Sequence, residues 1–377
     1  MKIFFIYLTA IFLLGYVYLS LTDFGSTEYH NYLAFFSGFL YLMLLYNWKY
    51  DVFKDSILRI IKVFFVWMMI ISLIFPERLF NISLTLFFQS TLWCPLFFII
   101  YKFTTRKPEI LLRRTKQFFY FLMFFSGIIF ITTEIETRNV YLSYYAVASI
   151  PWILLIKNKY LKYFGLSFIL FTTILAGKRG GLIAATAAIV SYFFIDSRFS
   201  KRNNGINTVK LLISIAFISI LIILLVYNLD SNVFIRLGQI DEDKGSGRID
   251  LYDELIILIS NFDTYNFIVG NGHNATYTAT GNFAHNEFIQ FFFDYGLIGF
   301  LSYIYLHIVL LKKCSKLFKG KSPYAASFIA SYIIFITIAM VSHWFVMALF
   351  VVTLISYWAV IFALTNQNRK IYYIYNK

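Results

Sequence analysis

An all-α polytopic membrane protein, with about twelve transmembrane helices and one long outer loop, is the fold class this sequence predicts. Three observations carry the prediction. Of 377 residues, 60% are hydrophobic and only 14% charged, whereas a soluble domain is about 45–50% apolar and about 25% charged. Apolar runs recur along almost the whole chain, and a bilayer crossing needs about 20 mostly apolar residues. The basic residues sort into alternate loops, the charge signature of a chain threading back and forth through a membrane. The same composition excludes a soluble enzyme, a disordered tail protein and a disulfide scaffold.

The runs centre on 3–21, 30–47, 57–75, 81–101, 116–132, 141–156, 161–176, 180–195, 209–227, 288–311, 323–341 and 345–364. They are continuous, without the period-2 alternation of a membrane strand, so helices are expected. The first run is too long for a signal-peptide core and lacks a small-residue cleavage pattern, so it reads as a retained span. Cys94 falls inside an apolar run and Cys314 in a basic loop, which supports neither a structural disulfide nor redox chemistry. Residues 1–377 read as a single integral membrane domain.

A net charge of +14 would point to nucleic acid in a soluble chain. Here its distribution points to a bilayer instead, and no nucleic-acid partner is expected. With a cytoplasmic N-terminus, 26 of the 33 Lys and Arg fall in inner segments. The outer side keeps seven: Arg78, Arg138, Lys178, Arg179, Arg236, Lys244 and Arg248. Fifteen of the 19 acidic residues lie on or near that outer side. The positive-inside rule therefore places both termini in the cytoplasm. One outer segment stands apart. Residues 228–284 number 57 and carry three basic and eight acidic groups, a net of −5. Long loops on a rigid scaffold tend to hold function.

The runs hold almost no ionisable groups in their middles. Lys62, His307 and His343 sit near run ends, Asp294 lies within two turns of the outer end, and Gln89 reads as an interhelical hydrogen-bonding amide. Ion-coupled transporters need carboxylates or histidines at mid-membrane depth. The pattern argues against that class and moves any chemistry to the outer surface.

Three outer constellations stand out. Gly177-Lys178-Arg179-Gly180-Gly181 is a short hairpin between two runs, followed by a small-residue face at Ala184, Ala185, Ala187 and Ala188 that permits close helix packing. An arginine beside a helix N-terminus suits a phosphate group; the alternative is an interfacial anchor to lipid headgroups. Gly245-Ser246-Gly247-Arg248 opens a helix in the long loop, with Ile249, Tyr252, Ile256 and Ile259 at helical spacing and Ser246 or Gly247 able to cap. Arg248 is either a second anion site or the partner of Asp250, Asp253 and Glu254. Downstream, Gly270-Asn271-Gly272 is a turn that lets backbone approach a ligand closely. Third, His285-Asn286-Glu287 leads into the run at 288–311, with Glu287, Gln290 and Asp294 on one helical face. His285 can act as general base, since its unperturbed pKa lies near neutrality; the alternative is a hydrated helix end. A metal site from His273 and His285 matches no ligand spacing and is not expected.

In order, Lys178-Arg179-Gly180, Gly247-Arg248, Gly270-Asn271-Gly272, His285-Asn286 and Gly296-Leu297-Ile298-Gly299 resemble the pattern of the O-antigen ligase/polymerase superfamily. These are integral-membrane glycosyltransferases with a GT-C-like fold that use polyprenyl-diphosphate-linked sugars. The resemblance covers roughly residues 165–311. It departs from the pattern at Lys178, where a small polar residue is common, and at Phe267, where proline often precedes the Gly-x-Gly turn. It implies that Arg179 and Arg248 bind the donor's diphosphate and that His285 activates or positions the acceptor hydroxyl. Lys178, Gly180, Gly247, Gly270, Gly272, Asn286 and Glu287 would line the substrate. The implied reaction is inverting and metal-independent, without a cofactor, in a bacterial inner membrane. Its partners would be an undecaprenyl-diphosphate-linked glycan donor and acceptor, membrane lipid and a separate chain-length regulator. A repeat-unit polymerase for O-antigen or capsule is the primary expectation; a ligase of the same superfamily and a lipid-sugar flippase are the rivals.

Overall fold

A computed structural model describes residues 27–46, 55–76, 90–133, 142–199, 247–343 and 348–375, together with 11, 12, 14, 15, 18, 19 and 87. Among them the regular structure is entirely helical. The helices are α1 (Thr27–Tyr46), α2 (Ser56–Ile74), α3 (Trp93–Arg106), α4 (Pro108–Thr132), α5 (Leu142–Ala148), α6 (Ile150–Leu154) and α7 (Lys159–Leu175). They continue with α8 (Arg179–Phe199), α9 (Arg248–Ser260), α10 (Thr264–Val269), α11 (Ala275–Thr280), α12 (Glu287–Lys319), α13 (Ala325–Val341) and α14 (Ala348–Tyr375). Four of these, α2, α4, α8 and α12, are long and apolar enough to cross a membrane. The run at 209–227, most of 3–21, Gln89 and the Gly245-Ser246 pair lie outside the described residues.

Packing follows the small residues. On α8, Ala184, Ala185 and Ala188 are fully buried, and α13 presents Ala325, Ala330, Ser331 and Ala339, equally buried. With so little side chain between them the two backbones approach closely, and α8 lies along α13. Beside them, Trp152 of α6 stacks on Phe119 and donates its indole N–H to the Thr353 carbonyl of α14 at 3.1 Å. At one end of the bundle, Asn366 Nδ2 donates to Asp55, which also accepts from the Tyr101 hydroxyl, while Lys313 reaches Thr365 and Asn366. All four of these segments are ones the charge pattern assigns to the inner side.

The run at 288–311 is not a single straight helix, and this corrects the sequence expectation. Within α12, Gly296 has φ 63° and ψ −167°, far from helical values. Phe288 nonetheless lies 5.3 Å, ring to ring, from His307, and Phe291 lies 4.4 Å from Tyr303. A continuous helix would separate residues 288 and 307 by roughly 28 Å at 1.5 Å per residue. The chain therefore folds back at Gly296, so that a short arm, 287–295, packs against the long arm, 297–319. The reversal exposes the carbonyls at the end of the short arm, which must find donors. The Gly270-Asn271-Gly272 turn supplies most of them: Asn271 N–H to the Phe293 carbonyl, Gly272 N–H to that of Asp294, and Asn271 Nδ2 again to Phe293. Trp67 of α2 donates its indole N–H to the Tyr295 carbonyl at 3.1 Å.

Burial also corrects the expectation that the runs hold almost no ionisable groups. Glu287, Gln290 and Asp294 are buried along the short arm, so that face is no hydrated helix end. Asp294 accepts from both the backbone N–H and the hydroxyl of Thr276 on α11, at 2.8 Å each. Because α12 runs on to Lys319, His307 and Lys313 lie well inside it and are buried, as is Cys314; Cys94 and Cys314 are both free thiols.

Candidate active site

The short arm of α12 begins at Glu287. Asn286 is its N-cap: the side-chain oxygen accepts from the N–H groups of Phe288 and Ile289. Asn286, expected to line substrate, thus spends its side-chain carbonyl oxygen on the helix start. Asn286→Ala is expected to cost about 1 kcal/mol of stability, with Asn286→Asp close to wild type, read as thermal unfolding in detergent.

Immediately before it, His285 adopts a left-handed backbone with φ 52°, a conformation uncommon for a side-chain-bearing residue. This turn brings its ring to His343, two residues beyond α13, with the two Nδ1 atoms 3.2 Å apart. Phe283 stacks on the other imidazole, 4.7 Å from His343. Phe288, three residues past His285, lies beside His307 on the long arm. Phe288 itself stands about 12 Å along the short arm from the hairpin tip at Gly296.

Two sequence-expected cations act on this pair. Burial, then the charges of Arg248 and Lys178, hold the His285 pKa down to about 4. Burial, then His285, Lys178 and Arg248, hold His343 to about 3. His285 and His343 are thus in contact, and Lys178 and Arg248 both act on them electrostatically. Arg248 opens α9 behind Gly247, and one turn on, the Tyr252 hydroxyl reaches the His285 carbonyl at 3.4 Å.

A small core seats α9 here: Leu255, Ala275, Ala284 and Phe293, with Leu251, Leu258, Ile259 and Phe262 packed against them. Of the four apolar residues at helical spacing, Ile259 packs against this core. Ile249 and Ile256 are more than half exposed, and the stripe through Leu251, Leu255 and Leu258 is the buried one.

Arg179 is the first residue of α8, and only Ala176, Gly177 and Lys178 separate that helix from α7. Its neighbour Gly180 lies against α13: a Cβ there would stand 2.7 Å from Val341 Cγ2 and 3.2 Å from the Tyr144 hydroxyl. The Lys178-Arg179-Gly180 turn thus abuts the residues that lead into His343. Gly270 lies in close approach to the α12 backbone, Gly272 donates its N–H to the Asp294 carbonyl, and Glu287 is wholly buried at the arm's first turn.

Two histidines were given no role by sequence reasoning. His343 carried no local motif, being a lone histidine in a turn between apolar runs. His273, set aside as a metal ligand, takes the Tyr295 hydroxyl at Nδ1 and meets Ser90 Oγ at Nε2, 3.0 Å away. Ser90 in turn donates to the Phe87 carbonyl. That directed chain pins the Gly-x-Gly turn to the bundle. Among the described residues no cluster of three metal-ligating side chains occurs.

The class is thereby defined: an all-helical integral-membrane protein whose bundle carries an imidazole pair on which two cations act. Residues 164–304 match the family model described as O-Antigen ligase, over the same stretch that carries the resemblance read from the sequence. That stretch takes in α8, α9, the Gly-x-Gly turn and the fold-back, but stops short of His343. No curated protein matches the chain.

Proposed function

We propose that the protein polymerises undecaprenyl-diphosphate-linked oligosaccharide repeat units on the outer face of the bacterial inner membrane. The observation that carries this reading is the His285–His343 contact, with the two Nδ1 atoms 3.2 Å apart, on which Arg248 and Lys178 both act electrostatically. Twelve spans and cytoplasmic termini complete the picture. The meeting of Asp55, Tyr101, Lys313 and Asn366 at one end supports it, as does the action of Lys178 and Arg248 on His285 elsewhere.

In the proposed step the acceptor hydroxyl gives its proton to His285 while its oxygen bonds to the anomeric carbon. The bond from that carbon to the diphosphate oxygen breaks, and the carrier diphosphate leaves with the added negative charge. Arg248, Arg179 and Lys178 stabilise that charge as it grows, which lowers the barrier because the cations are already oriented. Attack opposite the leaving group inverts the anomeric centre. Gly270 and Gly272 act beneath the site by holding the fold-back, and Asn286 by starting the arm that carries His285.

The test is an assay of purified protein with polyprenyl-diphosphate-linked repeat units, scored for polymer. A ladder of products supports the proposal, and absence of any glycosyl transfer overturns it. The matched family description favours the ligase as second reading. Deleting the gene separates the two: loss of a polymerase leaves acceptors with a single repeat unit, whereas loss of a ligase leaves acceptors bare and polymer stranded on the carrier.

The pH profile is a further expected outcome. A base must be neutral to work, and the His285 pKa is held to about 4. The acid limb of kcat/KM should therefore fall near pH 4 and not near the ordinary histidine value of about 6.5. Lys178→Met removes one charge that favours neutrality, so activity should be lost at a higher pH. The limb in kcat should also lie higher than that in kcat/KM, because bound diphosphate offsets the cations. A limb that stays put in Lys178→Met excludes this electrostatic control.

A further inference from the structure

We infer that His343 is a positioning residue for His285, fixing its tautomer so that Nε2 is the bare nitrogen that meets the acceptor hydroxyl. The inference rests on the proposed polymerase reading, which it deepens. It starts from the separation of the two Nδ1 atoms, 3.2 Å. An imidazole N–H can lie between those nitrogens, and one proton serves both rings.

Two arrangements satisfy the contact. If His343 donates, His285 accepts at Nδ1, its remaining proton sits on Nε2, and it has no lone pair left to act as base. If His285 donates, its Nε2 is unprotonated and His343 keeps its own proton at Nε2. Burial selects between them once a proton arrives. His343 is only 7% exposed, with Phe283 stacked on its ring, while His285 is half-buried. Charge is therefore costlier on His343. As the acceptor sugar transfers its proton to His285 Nε2, the new imidazolium keeps Nδ1–H directed at His343, which remains neutral and accepts. His343 thus does for this base what an oriented hydrogen-bond acceptor does for any catalytic imidazole: it sets ring orientation and tautomer without touching substrate.

The backbone is arranged for this contact. The left-handed turn at His285 and the capped start of the short arm at Asn286 direct one ring. The end of α13, held by Gly180 against Val341, directs the other. The groups that act on the pair are Lys178 and Arg248, from the turn before α8 and the start of α9.

The experiment combines a spectroscopic and a kinetic arm. Histidine-selective ¹⁵N labelling in nanodiscs, with the His285 signals assigned through His285→Gln, reads the tautomer directly. The expected result is a protonated Nδ1 and an unprotonated Nε2 on His285. A protonated Nε2 in the neutral ring overturns the inference, whatever reaction the protein carries out.

The kinetic arm uses lipid-linked repeat units. His343→Leu fills the space without an acceptor and should lower kcat by about 10²-fold, with KM within twofold. His343→Asn places a carboxamide oxygen near the Nδ1 position and should recover kcat to within about tenfold of wild type. Leu at wild-type kcat, or Asn no better than Leu, overturns the positioning role. If wild-type protein shows the expected tautomer yet makes no polymer, the functional reading fails while the pairing stands.

Discussion

Arg248→Ala is expected to lower kcat by about 10²–10³-fold, the loss seen when one preoriented stabiliser of a developing anion is removed. Its basis is positional. Arg248 is the first residue of α9, behind Gly247 in a left-handed conformation, so it stands beside the free N–H groups of a helix start. The Leu255 core seats that helix on α11 and the short arm of α12. The residue is thereby held on a packed helix, from which its charge acts on the imidazole pair.

Two further readings distinguish charge stabilisation from simple folding damage. Because Arg248 helps hold the His285 pKa low, its removal should raise the acid limb of kcat/KM, as in Lys178→Met. Arg248→Lys should restore the pH limb but not the full rate, since an ammonium lacks the planar fork that meets two phosphate oxygens. Expression and membrane insertion should persist, because the residue stands at the start of a helix that the Leu255 core seats. Arg248→Ala with a normal chain-length ladder would remove it from the reaction. The parallel expectation for Arg179→Ala and His285→Ala is loss of long-chain glycan at unchanged insertion.

What was legible beforehand follows the range of each signal. The apolar runs gave away the helices, because burying a backbone in lipid demands internal hydrogen bonding over about 20 residues. Arg179 and Arg248 were legible as cations breaking the inside bias, and each indeed opens a helix. The start of α12 at Glu287 was readable from Asn286, a favoured capping residue.

The fold-back was not legible, because 288–311 is apolar whether it forms one span or two packed arms. Only Gly296 hinted at it, an isolated glycine in a helical pattern. α9 was legible as a helix but its buried face was not, because it carries two apolar stripes and packing on Ala275 and Ala284 chose the one through Leu255. His343 escaped because its meaning lies in a partner 58 positions away. Local spacing carries no trace of that distance.

The second large effect is structural and falls on Gly296 and Gly270. Each faces the other's backbone: a Cβ on Gly296 would collide with the Ile268 carbonyl, and one on Gly270 with the Asp294 carbonyl. Neither neighbour can swing aside, since both belong to main chain. Gly296 also holds φ 63° with ψ −167°, a region that only glycine visits at ease. Gly296→Ala should therefore cost about 3 kcal/mol or more, the backbone strain alone being ~1–3 kcal/mol. The proper comparison is Gly281→Ala. That residue shares a left-handed φ of 73°, but a Cβ there meets nothing within 4 Å, so only the conformational cost of about 1–2 kcal/mol applies. Thermal unfolding in detergent should rank wild type above Gly281→Ala, and Gly281→Ala well above Gly270→Ala and Gly296→Ala. In the last two the short arm can no longer lie against Tyr303 and His307, so the His285–His343 contact is lost along with stability. Equal melting temperatures for Gly296→Ala and Gly281→Ala would mean that the chain does not reverse at Gly296, and the imidazole pair would then need another explanation.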